Sequence, residues 1–202
     1  MVKTVKSVVP RMIGFFLVMA VVTGMIYPAL ITGISRVLFP RQSAGSIIVG
    51  NDGKTYGSEL LAQEFTGDQY MWGRIMNVDV STFTGEDGQP LMYAGASNKT
   101  PAGEELFALV AARVKRLGAS YPAQGDAPIP VDLVTCSGSG LDPEISPAAA
   151  EYQIARIAQA RGISEEEVQG AVDRFTTGRF LGIFGEPRVN VLKVNLALDG
   201  LI

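Results

Sequence analysis

The chain opens with a long apolar run. From Met12 to Ser35 no residue is charged, and roughly half of these positions are Leu, Ile, Val or Phe. A helix needs about 20 predominantly apolar residues to cross the hydrocarbon core of a bilayer. The pattern therefore predicts a transmembrane helix over residues 12–35, with an N-terminal segment over 1–11 before it and a linker over 36–46 after it.

A cleaved signal peptide is the alternative interpretation of this run. Signal peptides have apolar cores of about 7 to 15 residues followed by a cleavage site of small residues. The run is longer than that, and Tyr27–Ile31 continues it without an Ala-x-Ala site. A retained transmembrane helix is favoured.

Basic residues near the ends of the span predict its orientation. Three precede it and two follow it: Lys3, Lys6 and Arg11, then Arg36 and Arg41. Cytoplasmic flanks carry the excess of Lys and Arg. We therefore expect a cytoplasmic N-terminus and an extracytoplasmic body.

Small residues recur at every fourth position of the span. They are Ala20, Gly24, Pro28 and Thr32. Small side chains let a second transmembrane helix approach closely, so this face is a candidate contact with a partner helix. Ordinary transmembrane composition remains the alternative. Pro28 is also expected to kink the helix.

Shorter patterns beyond residue 46 predict a single α+β domain over residues 47–202. Period-two alternation and turn residues indicate strands at Ile47–Val49, Lys54–Tyr56, Val131–Val134 and Arg188–Leu198, the last with a bulge where its alternation changes phase. Helical periodicity and capping residues indicate helices at Glu104–Leu117, Ser146–Arg161 and Ser164–Phe175. Residues 66–102 are rich in Gly, Asp, Asn, Thr and Ser, which indicates a mostly irregular loop.

Charge and composition exclude several classes of function. The first 41 residues carry a net charge of +5, and residues 42–202 carry −8. A body this acidic is not attracted to nucleic acid. The chain has no histidine, which removes Ser-His-Asp catalysis, Cys-His catalysis and histidine metal ligation. Its single cysteine, Cys136, cannot form an intramolecular disulfide and is interpreted as a packed thiol.

One loop stands out as a candidate functional segment. It follows a predicted strand, precedes a predicted helix and contains Ser137, Gly138, Ser139, Gly140 and Asp142. Such a loop can present backbone N–H groups to an anion. The other interpretation is a tight structural turn in which Gly138 and Gly140 supply backbone freedom.

Other chemistry in the body has structural alternatives. Asp142, Glu144 and Glu186 can act as an acid–base pair, bind a cation or form salt bridges. Gly53-Lys54-Thr55 resembles the end of a phosphate-binding loop but is favoured as a hairpin turn. Neither a catalytic nor a metal site is predicted. Two other function classes stay open: an anchored binding module for a small ligand or lipid, and a Ser-Lys hydrolase using Lys54, Lys99, Lys115 or Lys193.

Three stretches carry a resemblance to a known family. They are Thr23–Pro28, Ile129–Ala150, and Phe184–Leu192 continuing to Leu198-Asp199. Together they resemble the C subunit of the Kdp-type potassium-transporting P-type ATPase. The resemblance covers essentially the whole chain in the expected order.

The resemblance implies a non-catalytic accessory subunit of a bacterial plasma-membrane complex. Its expected role is that of a catalytic chaperone that raises ATP affinity. The expected partners are the P-type catalytic subunit, a channel-like potassium-binding subunit, a small single-span subunit and membrane lipid, without nucleic acid. No cofactor is expected to bind this chain firmly. ATP belongs to the catalytic subunit, and potassium is the transported ion.

The resemblance also gives a nucleotide-related role to a loop that is altered in this chain. The family motif Ser-Gly-Gly-Ser-Asn reads Ala94-Gly95-Ala96-Ser97-Asn98, so Gly95, Ser97 and Asn98 are the matching positions. The family's Gly-Arg-Pro-Ser reads Gly73-Arg74-Ile75-Met76, and Glu144 replaces the usual His.

Overall fold

The computed structural model of the chain describes residues 2–85, 88–121 and 127–202. The chain divides into two compact units, one ending at Ile47 and the other beginning at Ile48. The first unit is helical, and the second combines helices with small sheets. An apolar helix followed by one α+β domain is the predicted fold class, and it is confirmed.

The first unit consists of a long apolar helix followed by a four-residue helix. Helix α1 spans Val2–Val21, a π-helical turn spans Val22–Ile26, and α2 spans Tyr27–Leu38. Of this, Val8–Leu38 is long and apolar enough to cross a bilayer. Its 31 residues measure about 46 Å at about 1.5 Å per residue, more than the ~30 Å hydrocarbon core. A four-residue helix, α3, follows at Pro40–Ser43.

The π-turn in the apolar helix has an identifiable cause. Pro28 lacks an N–H, and its ring clashes with the carbonyl four residues earlier in a regular helix. The chain avoids that clash by widening the preceding turn, where the Tyr27 N–H donates to the Val22 carbonyl. Pro28 therefore directly follows a turn that contains one extra residue, and the kink expected at Pro28 stays a prediction.

Two separate hairpins come next along the chain. Strands β1 (Ile47–Val49) and β2 (Thr55–Ser58) pair around the predicted turn. Strands β3 (Val78–Thr84) and β4 (Pro90–Ala94) pair antiparallel, with an irregularity between Asp79 and Phe83. The second hairpin lies within the stretch predicted to be an irregular loop, so that prediction is wrong there. Val78–Thr84 is rich in β-branched residues, and this strand signal outweighed the polar composition around it.

Helix α4 (Glu104–Ser120) forms as predicted but continues past Gly118. The predicted strand at Val131–Val134 is wrong: Val131–Leu133 forms a 3₁₀ turn with Leu133 fully buried. The Leu133 N–H donates to the Pro130 carbonyl, and the Asp132 carboxylate accepts from the Ser146 N–H at 2.7 Å. The Leu133 N–H is therefore satisfied within the turn, without a neighbouring strand.

The C-terminal half carries the helices that build the core. After β5 (Glu144–Ile145), the predicted helix from Ser146 is split into α5 (Pro147–Glu151) and α6 (Ile154–Arg161). Ser146 caps α5, and Gly162 in the left-handed conformation ends α6, both as predicted. Helix α7 (Glu165–Arg174) begins with the predicted capping box.

The last element differs most from its prediction. Strand β6 (Thr176–Thr177) and β5 both pair with β7, which covers only Arg188–Asn190. The chain then forms helix α8 (Val191–Leu198), capped by the Asn190 side chain accepting from the Lys193 N–H at 3.0 Å. The phase change predicted to be a bulge is therefore a strand-to-helix junction. Helix α8 is buried on most sides and therefore carries apolar residues around most of its circumference. Its sequence consequently shows no clear helical period.

Candidate functional site

The loop from Ser137 to Asp142 is folded by its own side chains. The Ser137 hydroxyl accepts from the Gly140 N–H at 3.0 Å, and the Ser139 hydroxyl accepts from the Leu141 N–H at 3.2 Å. The Asp142 carboxylate accepts from the Glu144 N–H at 3.0 Å. The N–H groups of Gly140 and Leu141, and that of Glu144 just beyond the loop, already donate to side chains of the loop, which favours its structural interpretation.

The two glycines of the loop differ in what they require. Gly140 has a φ of +72°, a left-handed conformation that favours glycine. A Cβ atom there would lie 2.5 Å from the Gly95 carbonyl oxygen and 2.8 Å from the Asn77 carbonyl oxygen. At Gly138 a Cβ atom would meet nothing within 4 Å, and the backbone needs no special conformation. The structural requirement predicted for both glycines applies to Gly140 alone.

The close approach at Gly140 joins the two candidate loops. The Asn77 N–H donates to the Gly140 carbonyl at 3.0 Å, and the Asn77 side-chain amide donates to the Gly95 carbonyl at 2.8 Å. Gly95 is therefore in the same cluster as the Ser137–Asp142 loop. Ser97 is half-buried and Asn98 is exposed with a φ of 52°. We call Asn77, Gly95 and Ser137–Asp142 the loop cluster.

Arg74 fixes the other side of the loop cluster. Its guanidinium lies 3.4 Å from the Asp142 carboxylate and donates to the Cys136 carbonyl at 3.2 Å. The next residue, Ile75, forms a parallel bridge with Cys136. Asp142 therefore both caps the backbone at Glu144 and pairs with Arg74. Arg74 also lines a cavity of about 250 Å³ together with Gln63, Glu64, Phe65, Gly73, Ile75, Met76, Val78 and Arg113.

Two buried amides hold the segment that carries Arg74. The Asn195 side chain accepts from the Met71 N–H at 2.7 Å and donates to the Met71 carbonyl at 3.0 Å. The Gln153 side chain accepts from the Trp72 N–H at 2.7 Å and donates to the Trp72 carbonyl at 2.9 Å. Each amide thus binds both the N–H and the carbonyl of one residue, as a neighbouring strand would, while lying in the core.

Arg156 also holds the segment at Met71 and Trp72, by contacts with two aromatic rings and with backbone carbonyls. The Arg156 guanidinium lies 4.4 Å from the ring centroid of Trp72 and 4.8 Å from that of Tyr121. It also donates to the Gln153 side-chain oxygen, the Tyr70 carbonyl and the Asp68 carbonyl. Burial raises the pKa of Tyr121 to about 12, so its hydroxyl stays protonated and can donate to Gln153. We call Gln153, Arg156 and Asn195 the amide clamp.

Sequence reasoning missed the amide clamp, and one signal was available. Asn195 lies between Val194 and Leu196 in a mostly apolar run, where a buried amide needs a partner. Gln153 and Arg156 give no comparable signal, because polar residues are ordinary on a helix that was expected to be half exposed.

The acidic residues form separate salt bridges. Asp142 faces Arg74, Glu144 lies 2.8 Å from Arg188, and Glu186 lies 2.6 Å from Arg179. The described residues contain no group of three or more Cys, Asp or Glu that could hold a metal ion. The salt-bridge alternative is thus the one that the geometry favours for these three carboxylates.

Three of the four lysines proposed for a Ser-Lys hydrolase are placed unfavourably for catalysis, and the fourth, Lys115, is exposed on α4. Lys54 pairs with Asp52, Lys99 with Glu105, and Lys193 with Glu59. A lysine acts as a base only when its ammonium is destabilised, and a paired carboxylate does the opposite. Lys54 lies beside the turn at Gly53, where the Asp52 carboxylate accepts from the Lys54 backbone N–H, and this matches the hairpin-turn interpretation.

The π-turn changes the geometry of the small-residue face. In a regular helix of about 100° per residue, Pro28 lies about 80° around the axis from Ala20. One extra residue in the intervening turn removes about 100°, which leaves the two within about 20° of each other. Ala20, Gly24, Pro28 and Thr32 therefore share one face more closely than their spacing alone predicts. The face itself remains a predicted contact.

Comparison with known proteins gives one consistent result. The family model KdpC, described as the c chain of the K⁺-transporting ATPase, matches residues 9–200. A potassium-transporting ATPase KdpC subunit of Clostridium botulinum is 49% identical over 99% of this chain and 99% of its own length. One of Clostridium perfringens is 53% identical over 97% and 98%, and one of Sorangium cellulosum is 50% identical over 91% and 93%.

Proposed function

Because this chain belongs to the KdpC family of K⁺-transporting ATPase subunits, we propose that it is the accessory subunit of an ATP-driven potassium uptake complex. The observation that carries the proposal is the match over residues 9–200, which includes both the apolar helix and the body. In this role the chain stabilises the assembled complex and acts as a catalytic chaperone that raises the ATP affinity of the P-type subunit.

The proposed partners follow from the same family membership. They are the P-type catalytic subunit, the channel-like potassium-binding subunit and a small single-span subunit. The complex lies in a bacterial plasma membrane, where this chain spans once. Potassium is the transported ion of the complex, and ATP is bound by the catalytic subunit.

A non-catalytic role is supported by how the polar groups of the body are used. The described carboxylates nearest the loop cluster are paired, N–H groups of the loop already donate within it, and the amide clamp holds backbone. These groups position segments of the chain. The chain itself is therefore proposed to perform no chemical step in ATP hydrolysis.

Affinity purification from membranes tests the proposed assembly. We expect a tagged copy of the chain, solubilised in mild detergent, to bring down the P-type and channel-like subunits in comparable amounts. Recovery of the chain alone, from cells whose membranes contain those subunits, would refute the proposal.

A substitution on the small-residue face is expected to weaken that assembly. At Gly24 an added Cβ atom would meet nothing within 4 Å apart from the adjoining helical backbone, so Gly24→Leu leaves the chain's own helix uncrowded at that atom. A bulky residue nevertheless blocks close approach of a partner helix. We expect about 10-fold lower recovery of partner subunits, equivalent to about 1.4 kcal/mol. Val21→Leu is the matched control, and equal recovery of both variants would rule out this face as the contact.

We also propose that the N-terminus is cytoplasmic and the body extracytoplasmic, on the basis of Lys3, Lys6 and Arg11. A cysteine at the exposed Glu166, in a Cys136→Ser background, reports the location of the body. An impermeant thiol reagent should label it in intact spheroplasts. Labelling that needs permeabilised membranes would reverse the proposed orientation.

A further inference from the structure

The cavity beside the loop cluster combines two guanidinium groups with apolar walls. Its volume is about 250 Å³, and Arg74 and Arg113 supply the guanidinium groups. Gln63 and Glu64 also line it and are exposed, so the cavity reaches the surface of the body. Its apolar lining consists of Phe65, Ile75, Met76 and Val78. We call it the arginine cavity.

The chain itself holds both guanidinium groups in place. The Arg113 Nε donates to the Leu133 carbonyl at 2.9 Å, and one terminal nitrogen of Arg113 donates to the Gly73 carbonyl at 3.5 Å. Arg74 donates to the Cys136 carbonyl at 3.2 Å, and the amide clamp holds the segment that leads to it. Side chains that are positioned before a ligand arrives lower the entropy lost on binding.

The positive charge of the cavity is only partly neutralised by the chain. Arg74 lies 3.4 Å from the Asp142 carboxylate, farther than the about 2.7 to 2.9 Å of a close charge-assisted hydrogen bond. Within the ranges that the structure describes, Arg113 forms no salt bridge, and Glu64 acts on it at longer range. Arg116 adds a third positive charge near Arg113. These three arginines exceed the two carboxylates by one charge.

Two further observations indicate that the arginines lack an acceptor. Burial lowers the pKa of Arg113, and the charge of Arg116 lowers it further, which means that the surroundings compensate the Arg113 cation poorly. The Arg74 Nε is buried and has no hydrogen-bond partner among the described residues. Buried polar groups nearly always have a partner, so an anion is the ligand that these groups favour.

The dimensions, charge and walls of the cavity restrict the class of anion. Drug-sized ligands occupy pockets of about 300 to 1,000 Å³, so a ligand of this cavity is smaller. An excess of one positive charge matches a monoanion better than a phosphate dianion. The planar fork of a guanidinium matches the geometry of a carboxylate. The apolar walls suit a short aliphatic chain attached to that carboxylate.

We propose that the arginine cavity binds a small monocarboxylate with a short aliphatic chain. Arg113 and Arg74 hold the carboxylate, and the aliphatic chain lies against Ile75 and Met76. The proposal is independent of the accessory role in potassium transport, because every group that it uses belongs to the body of this chain. Since Arg74 also pairs with Asp142, an occupied cavity stabilises the loop cluster.

Titration calorimetry of the full chain in detergent, with butyrate as the probe, tests the proposal. We expect a Kd at or below about 1 mM, with roughly fourfold tighter binding for each methylene added from acetate to butyrate. Butyramide has the same shape without the charge and should not bind. No measurable binding of butyrate, equal affinities for acetate and butyrate, or equal affinities for butyrate and butyramide would each overturn the proposal.

A competing anion tests the chemical class. Inorganic phosphate at the same concentration should leave butyrate bound, because the cavity compensates a single negative charge. Displacement of butyrate by equimolar phosphate would assign the cavity to phosphate and overturn the carboxylate.

Substitution of Arg113 tests the location of the site. Arg113→Gln is expected to weaken butyrate binding at least ~10-fold, since it removes a charged partner of the carboxylate. Lys115→Gln is the matched control, because it removes the same charge from an exposed position of α4 outside the cavity. Butyrate should raise the denaturation midpoint of the wild type and of Lys115→Gln, followed by Trp72 fluorescence, but not that of Arg113→Gln.

A second substitution keeps the test independent of the folding of the Arg113 variant. Met76→Glu places a carboxylate at the wall of the cavity and should also weaken butyrate binding at least ~10-fold through repulsion of like charges. Met76→Leu, which keeps the wall apolar, should bind butyrate like the wild type. Wild-type affinity in Met76→Glu, or in a folded Arg113→Gln, would show that butyrate binds elsewhere and overturn the proposal.

Discussion

Gly140→Ala is expected to destabilise the body by about 4 kcal/mol. Part of the cost, about 1 to 3 kcal/mol, comes from forcing a side chain into the left-handed region. The rest comes from contact with backbone atoms of Gly95 and Asn77 at 2.5 to 2.9 Å, which cannot rotate away. A loss of this size is a large share of the ~5 to 15 kcal/mol that stabilises a domain. Denaturant unfolding of the full chain in detergent, followed by Trp72 fluorescence, measures it.

Two other glycines distinguish the energetic cost of a left-handed backbone from the cost of steric overlap by an added Cβ atom. Gly162 has a φ of +66°, but a Cβ atom there would meet nothing within 4 Å, so Gly162→Ala should cost only about 1 to 2 kcal/mol. Gly138→Ala meets neither problem and should be close to neutral. Equal stability of the Gly140 and Gly138 variants would show that the loop cluster is not packed as described.

Gln153→Leu is expected to cost about 4 kcal/mol, for a different reason. The leucine side chain is similar in size but leaves the Trp72 N–H and carbonyl, and the Tyr121 hydroxyl, without their buried partner. Each unsatisfied buried polar group costs about 1 to 3 kcal/mol. The same unfolding measurement applies. Gln159→Leu, on the exposed side of α6, should change stability by less than about 0.5 kcal/mol.

The Gln153 variant also tests how the loop cluster is positioned. Because the amide clamp holds Met71 and Trp72, it fixes the segment that leads to Arg74 and Ile75. We therefore expect Gln153→Leu to raise the reactivity of Cys136, which is half-buried against this segment, toward a small thiol reagent. Unchanged reactivity and unchanged stability together would show that Gln153 is dispensable.

The elements that could be predicted are those with local signals. The apolar helix follows from uninterrupted hydropathy, and α7 follows from Ser164 and Glu167, whose side chains and backbones interact within one turn. The start of α5 follows from Ser146 for the same reason. Each of these signals depends on residues a few positions apart, so neighbouring sequence is sufficient to specify it.

The elements that could not be predicted depend on distant partners. Helix α8 is apolar on most sides because the core surrounds it, so Val191–Leu198 shows no clear helical period. The amide clamp joins residues 81 and 124 positions apart, and no local pattern reports such pairs.

The loop cluster has one part that local sequence predicts and one part that depends on a distant residue. Its turn was predicted from Ser137–Asp142, but its contact with Gly95 depends on Asn77, which no motif singled out. The structure thereby joins two segments that the family resemblance treats separately. This contact explains why Gly140 needs the space that Gly138 does not.

Potassium-stimulated ATP hydrolysis by membranes containing the complex, with and without this chain, tests the central claim most directly. Initial rates are measured across a range of ATP concentrations, and purified chain is then added back to the membranes that lack it. The account predicts a KM for ATP that is several-fold higher without the chain, and that returns toward the original value on addition. The same KM with and without the chain, in membranes that hold equal amounts of the catalytic subunit, would contradict it.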